Sequence, residues 1–262
     1  MLLQGNCWRS TKKHLENSQD EDINIELQNG ICVNDMKYKA VLFDNDDTLM
    51  DFQTGNRNAI NQLMDELGYL HPQRYEQYET INMECWAALE RGEMTQGQLR
   101  RERFVRFFNH YSVLGDPDNA AERFVELLGE QSILLPHAEQ VVRELSAHLP
   151  VIIVTNGITS IQRNRIGRSP LKDLISGMVI SEDAGVSKPQ PEVFLMALKP
   201  LGIAPSEALM VGDSINSDIR GANNAGIDVC WFNPKGETLP EGVHAEYIIK
   251  DIRECVSIAL RT

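Results

Sequence analysis

The chain has 262 residues, 42% hydrophobic and 24% charged, with a formal net charge of -13. That length buries one large core, with or without a smaller satellite domain. The charge repels nucleic acid polymers and anionic membrane surfaces, so an anionic ligand must be drawn in by a local positive site or a metal.

No apolar run reaches the ~18 residues of a membrane-spanning helix. The opening MLLQGNCWRS lacks the apolar core and small-residue cleavage site of a secretory leader. Five cysteines, Cys7, Cys32, Cys85, Cys230 and Cys255, show no CxxC pair and no zinc spacing. The expectation is a cytoplasmic protein with reduced thiols, monomeric or dimeric.

Residues 1–36 have little periodicity and read as a disordered extension, whether functional or the product of a mis-assigned start upstream of Met36. From Ala40 the run AVLF ends in DNDDT, the pattern of a strand buried on both faces that delivers polar groups at its carboxyl end. Between residues 52 and 132 no strand run appears. Amphipathic spacing there predicts helices over Arg57–Leu67, Pro72–Glu90, Gln96–Asn109 and Asn119–Leu128, with a capping box at Thr95 and Gln98 and a start at Asp116–Pro117. This interval is read as a helical cap inserted into a core domain made of residues 37–51 and 133–262.

Beyond it, VIIVT, MVIS, ALMVG and DVCWF alternate with helical segments. That alternation predicts an α/β fold with a doubly wound parallel sheet, whose ligands bind outside the carboxyl ends of the strands.

The chemistry-bearing residues fall at those ends. Asp44 and Asp46, two apart in extended chain, point to one side. One carboxylate can then attack phosphorus while the other moves protons. Asp47 and Asp51 are read as turn or surface residues. GDSINSD supplies Asp213 as a candidate ligand for a hard cation, with Asp218 behind it or behind a water. Thr155 and Asn156 close the second strand, where a hydroxyl and free N–H groups can hold phosphate. Lys188, restrained by Pro189, can neutralise charge beside Asp44. Trp86, Phe104, Phe107 and Phe108 have the spacing of cap core residues, with stacking against a base as the alternative.

In that order DNDDT, TNG, KP and GDSINSD resemble the four motifs of the haloacid dehalogenase superfamily. The resemblance implies a Rossmann-like core with strand order 3-2-1-4-5 and a helical cap. It further implies Asp44 as nucleophile and metal ligand, Asp46 as acid/base and a ligand through its backbone carbonyl, and Asp213 as the remaining protein ligand, with Thr155 and Lys188 on the phosphoryl group. The cofactor implied is Mg2+, with Mn2+ accepting similar oxygen ligands. An acidic residue at position 46 favours phosphoryl transfer over carbon–halogen cleavage, because a halide leaves without a proton.

More narrowly, TNGITSIQRNRI, ISEDAGVSKPQPEVF and WAALERGEMT look like pyrimidine 5'-nucleotidases. The expected partner is therefore a small phosphate ester, probed first as a nucleotide. Phosphoglycolate, sugar or acylneuraminate phosphates, a phosphomutase, and a catalytically silent binding protein on the same fold are the alternatives.

Overall fold

The computed structural model describes residues 36–261. The extension predicted at 1–36, together with Cys7 and Cys32, lies outside the described residues, except that Met36 is itself buried. Cys85, Cys230 and Cys255 are buried, unpaired thiols. Among the described residues no helix is long and apolar enough to cross a membrane.

The core is one parallel sheet. Its strands are β1 (Ala40–Phe43), β2 (Val151–Thr155), β3 (Gly177–Ile180), β4 (Ala208–Gly212), β5 (Asp228–Phe232) and β6 (Tyr247–Ile249). They lie in the order β3-β2-β1-β4-β5-β6. The predicted order is thus extended by a sixth strand at the edge, too short at three residues to stand out from the sequence. Every residue of β1, β2 and β4 is buried, which is why these runs are continuously apolar rather than alternating.

Helices α5 (Ala138–Ser146), α6 (Thr159–Arg168), α7 (Ser181–Ala184), α8 (Pro191–Leu198), α9 (Arg220–Ala225) and α10 (Glu254–Ala259) belong to this core. Val193, Phe194 and Ala222 from α8 and α9 pack on Ala40, Leu42, Ile152, Val154 and Met210 from alternate positions of the central strands. Outside that cluster α5 packs on β2 and on α10. Each fully buried Val, Leu, Ile or Phe contributes roughly 1.5–3 kcal/mol of transfer free energy, so the sheet rather than local propensity holds these short helices.

Between β1 and β2 the chain forms α1 (Phe52–Glu66), α2 (Arg74–Glu90), α3 (Gln96–Tyr111) and α4 (Pro117–Gly129). The capping box at Thr95 and Gln98 is present, and Asp116 accepts from the backbone N–H of Asp118 with Pro117 opening the helix. Helix α1 begins five residues before the predicted Arg57 because Asp51 caps it, accepting from Thr54 N at 2.9 Å. The predicted turn residue Asp47 has φ 60° and accepts from Phe52 N at 3.1 Å.

These four helices enclose their own core, built on Tyr78, Phe104, Phe107, Phe108, Phe124 and Leu127. Phe104, Phe107 and Phe108 are therefore cap core, as their spacing predicts, while Trp86 is 43% exposed.

Gly221 lies in the first turn of α9, packed against α8. A Cβ there would meet the Phe194 ring at 2.5 Å and Pro189 Cα at 3.1 Å. Gly221→Ala is expected to destabilise the fold by roughly 1–3 kcal/mol, the cost of overpacking a close crossing. Urea denaturation checks this, and an unchanged midpoint contradicts it.

Candidate active site

Four chain segments leave the carboxyl ends of the sheet and converge. Asp44 and Asp46 follow β1, Thr155 and Asn156 end or follow β2, Lys188 lies in the loop after β3 and α7, and Asp213 follows β4. The parallel topology brings together residues that are up to 174 positions apart, counted from Asp44 to Asp218.

At the centre is a buried ion cluster. The Lys188 ammonium is 2.5 Å from Asp44 Oδ1 and 2.7 Å from Asp218 Oδ1, and it donates to the Val154 carbonyl at 2.8 Å. Its three donors are thus all engaged. Lys188 is 4% exposed and Asp218 fully buried. Asn156 fixes the lysine's backbone, its Nδ2 donating to Lys188 O at 2.9 Å and its Oδ1 accepting from Lys188 N at 2.8 Å. Asn156 therefore acts on Lys188 through its side chain, and it also lines the cavity.

Oxygens of Asp44, Asp213 and Asp218 lie within 4.8 Å of one another. Gly212 admits Asp218 to this group: a Cβ on Gly212 would meet Asp218 Cγ at 2.6 Å. Ser214 N donates to Asp218 Oδ2 at 3.0 Å, Trp231 Nε1 holds the Asp213 carbonyl at 2.9 Å, and the Thr48 hydroxyl reaches Asp213 Oδ1 at 3.4 Å.

Three carboxylates face one ammonium, and the titration behaviour follows. Burial, then the charges of Asp218 and Asp47, push Asp213 up to about 7. Burial raises the Asp44 carboxyl well above the usual range, with Lys188 opposing and Asp218 adding to the rise. Burial pulls Lys188 down, but Asp218 and Asp44 together outweigh it and raise the ammonium's pKa. The residual negative charge, carried on oxygen with no Cys or His in the group, fits a hard divalent cation such as magnesium or manganese and not a zinc site.

Asp46 stands outside this cluster. Its carboxylate pairs with Arg165 and accepts from Gln162 Nε2 at 2.7 Å, while Gln162 Oε1 accepts from Asn45 Nδ2. Arg165 is fully buried and also donates to the Gln131 carbonyl at 2.9 Å. Gly157 makes room for this arrangement, since a Cβ there would meet Gln162 Cγ at 2.6 Å. Gln162 and Arg165 were not singled out by the sequence reading. Their signal was present: three apart on α6, immediately after the TNG loop, they share the helix face that looks back at DNDDT. The Thr155 hydroxyl, almost wholly buried, accepts from Gly157 N at 3.2 Å.

Above the cluster a cavity of about 430 Å³ runs between core and cap. Asp44, Lys188 and Asp213 line its floor side, and Trp86, Arg103 and Phe124 come from the cap. Arg100 of α3 bridges to Glu182 of α7 at 2.7 Å beside it.

The sequence matches the family model of haloacid dehalogenase-like hydrolases over residues 38–226. It is 33% identical to the pyrimidine 5'-nucleotidase PynA of Streptococcus pneumoniae over 227 residues, covering 84% of this chain and 96% of that one. It is 31% identical to the pyrimidine 5'-nucleotidase YjjG of Escherichia coli over 220 residues, covering 84% and 96%. The crystal structure of the HAD-hydrolase YfnB of Bacillus subtilis, which was determined bound to magnesium, superposes with a TM-score of 0.79 at 30% identity, covering 86% of this chain and 100% of that one. A dehalogenase of Xanthobacter autotrophicus shares the fold at a TM-score of 0.66 and 19% identity. The motifs, the sheet order and these matches agree, and the chain belongs to the haloacid dehalogenase-like hydrolase family.

Proposed function

We propose that this hydrolase is a divalent-cation-dependent phosphatase that removes the phosphate of pyrimidine nucleoside 5'-monophosphates through an aspartyl-phosphate intermediate. The observation that carries the reading is the floor of one cavity: a buried carboxylate, Asp44, held by a buried ammonium, with two further carboxylates beside it and an acid/base candidate two residues away. Similarity to two pyrimidine 5'-nucleotidases supports the substrate class.

Asp44, Asp213 and Asp218 would hold the cation, with the Asp46 carbonyl as a backbone ligand. Bound there, a hard cation such as magnesium offsets charge on the carboxylates and on the phosphoryl oxygens, so that like charge no longer opposes attack.

A carboxylate oxygen of Asp44 attacks phosphorus, and the ester P–O bond breaks. Asp46 gives its proton to the leaving 5'-oxygen. It then takes a proton from the water that attacks the phosphoaspartate, releasing phosphate and restoring Asp44. Arg165 and Gln162 fix the position of the Asp46 carboxyl through an ion pair and a hydrogen bond, which orients it for both proton transfers. Lys188, already on Asp44 Oδ1, stays beside the new phosphoryl oxygens, and Thr155 and the N–H groups that follow it contribute donors. The residues α1 to α4 contribute, 52–132, act as the cap that closes the cavity and excludes water.

Three outcomes follow. On a panel of phosphate esters with magnesium, kcat/KM is expected to be at least about tenfold higher for uridine and thymidine 5'-monophosphates than for 2-phosphoglycolate or sugar phosphates. A preference for the latter contradicts the reading. Asp44→Asn, nearly isosteric, is expected to fold normally and lose turnover, and Asp46→Asn to slow kcat by ~100-fold or more. Circular dichroism with single-turnover kinetics checks both, and wild-type rates in folded variants contradict the roles.

The third outcome concerns pH. The Asp213 pKa is raised in the folded state, so its contribution favours folding below about pH 4 and is lost as pH rises through about 7. In chelator at pH 8, Asp213→Asn is therefore expected to be more stable than wild type by roughly 1–3 kcal/mol, with the difference vanishing near pH 4. Denaturant titration at both pH values checks it, and a less stable variant at pH 8 contradicts it.

A further inference from the structure

Helix α2 presents Glu79, Asn82 and Trp86 at positions i, i+3 and i+7, and α3 presents Arg103 to the same cavity. Arg103 is 7% exposed, and among the described residues its one hydrogen bond is from Nη1 to Asn82 Oδ1 at 3.3 Å. Its Nε is buried without a partner. The Phe124 and Phe104 rings flank it, with centroids 4.7 and 5.4 Å from Cζ, which holds the guanidinium without consuming its N–H donors. Among the described residues this buried guanidinium makes no direct ion pair and feels only the nearby charge of Glu79, so it is costly to keep unless something else satisfies its donors.

Asn82 turns its other end to Glu79, Nδ2 donating to Oε2 at 3.3 Å. Glu79 is half-buried, and burial raises its carboxyl, with Asn82 opposing. The cap end of the cavity therefore offers a fixed donor and a fixed acceptor joined through one amide, between the apolar surfaces of Trp86, Leu99 and Phe124. A carboxylate-bearing ligand would satisfy Arg103 but meet Glu79 as a like charge. A flat ring carrying a carbonyl beside an N–H satisfies both, and the apolar walls take its faces.

Resting on the nucleotidase reading above, we infer that Arg103 is the residue by which the cap selects its substrate: it donates to a ring carbonyl of a uracil-type base while Glu79 accepts from the adjoining ring N–H. Asn82 acts through both as a positioning residue.

Steady-state kinetics on uridine 5'-monophosphate and ribose 5-phosphate test this, because the two share the same sugar phosphate and differ in the base. Arg103→Met is expected to raise KM for the nucleotide about 10- to 100-fold, lower kcat less, and leave kcat/KM for ribose 5-phosphate within about twofold, which also reports an intact fold. Should Arg103→Met fail to fold, Glu79→Gln at its half-buried position carries the same comparison, with the same selective rise in KM. Equal loss on both substrates, no loss on the nucleotide, or a loss confined to 2-phosphoglycolate overturns the inference. A wild-type protein that prefers ribose 5-phosphate to the nucleotide overturns the underlying reading instead, whatever the variants do.

Discussion

The site depends on one constraint: a single ammonium, Lys188, is buried among more negative charge than it can neutralise. It satisfies Asp44 and Asp218 at 2.5 and 2.7 Å, and among the described residues Asp213 has no ion pair of its own. In a medium of low dielectric such an imbalance is costly, and it is relieved either by protons, which the raised pKa of Asp213 reflects, or by a metal ion. The cluster exists because a parallel sheet ends four loops side by side, and because Gly212 lets a buried aspartate approach within contact of the strand end.

Chemistry and recognition are divided between two layers. On the proposed reading the core supplies the groups that act on phosphorus, while the cap supplies Arg103, whose Nε is buried without a partner among the described residues. Two contacts link the layers at the cavity's edge. Arg165 of α6 ties Asp46 to the carbonyl of Gln131, just past the last cap helix, and Arg100 of α3 joins Glu182 of α7. Glu182 also accepts from the N–H of Thr159 at 2.7 Å, at the start of the helix that carries Gln162 and Arg165. Cap position and the Asp46 carboxylate are thus mechanically adjacent.

The sequence made the sheet legible because the central strands are buried on both faces and so read as unbroken apolar runs ending in Asp or Thr. It made Asp44 and Asp213 legible because each follows such a run, and Lys188 because it sits in GVSKPQP, where Pro189 restrains the backbone. Strand β6 was missed because YII is short and half-exposed at the sheet edge. The early start of α1 was missed because Asp51 looks like any acidic turn residue until Thr54 folds back onto it. The close approach of Asp218 to the end of β4 depends on the missing Cβ of Gly212, a three-dimensional fact. Arg165 and Arg103 were missed for a shared reason: among 25 lysines and arginines most are solvated, and their burial, which among the described residues they share with Lys188 alone, is a three-dimensional fact.

The most direct test is calorimetric titration of magnesium into chelator-stripped protein at pH 8, run beside Asp213→Asn. The account predicts one saturable site per chain and loss of that site in the variant. No saturable binding at millimolar magnesium, or binding of equal strength in Asp213→Asn, would contradict it.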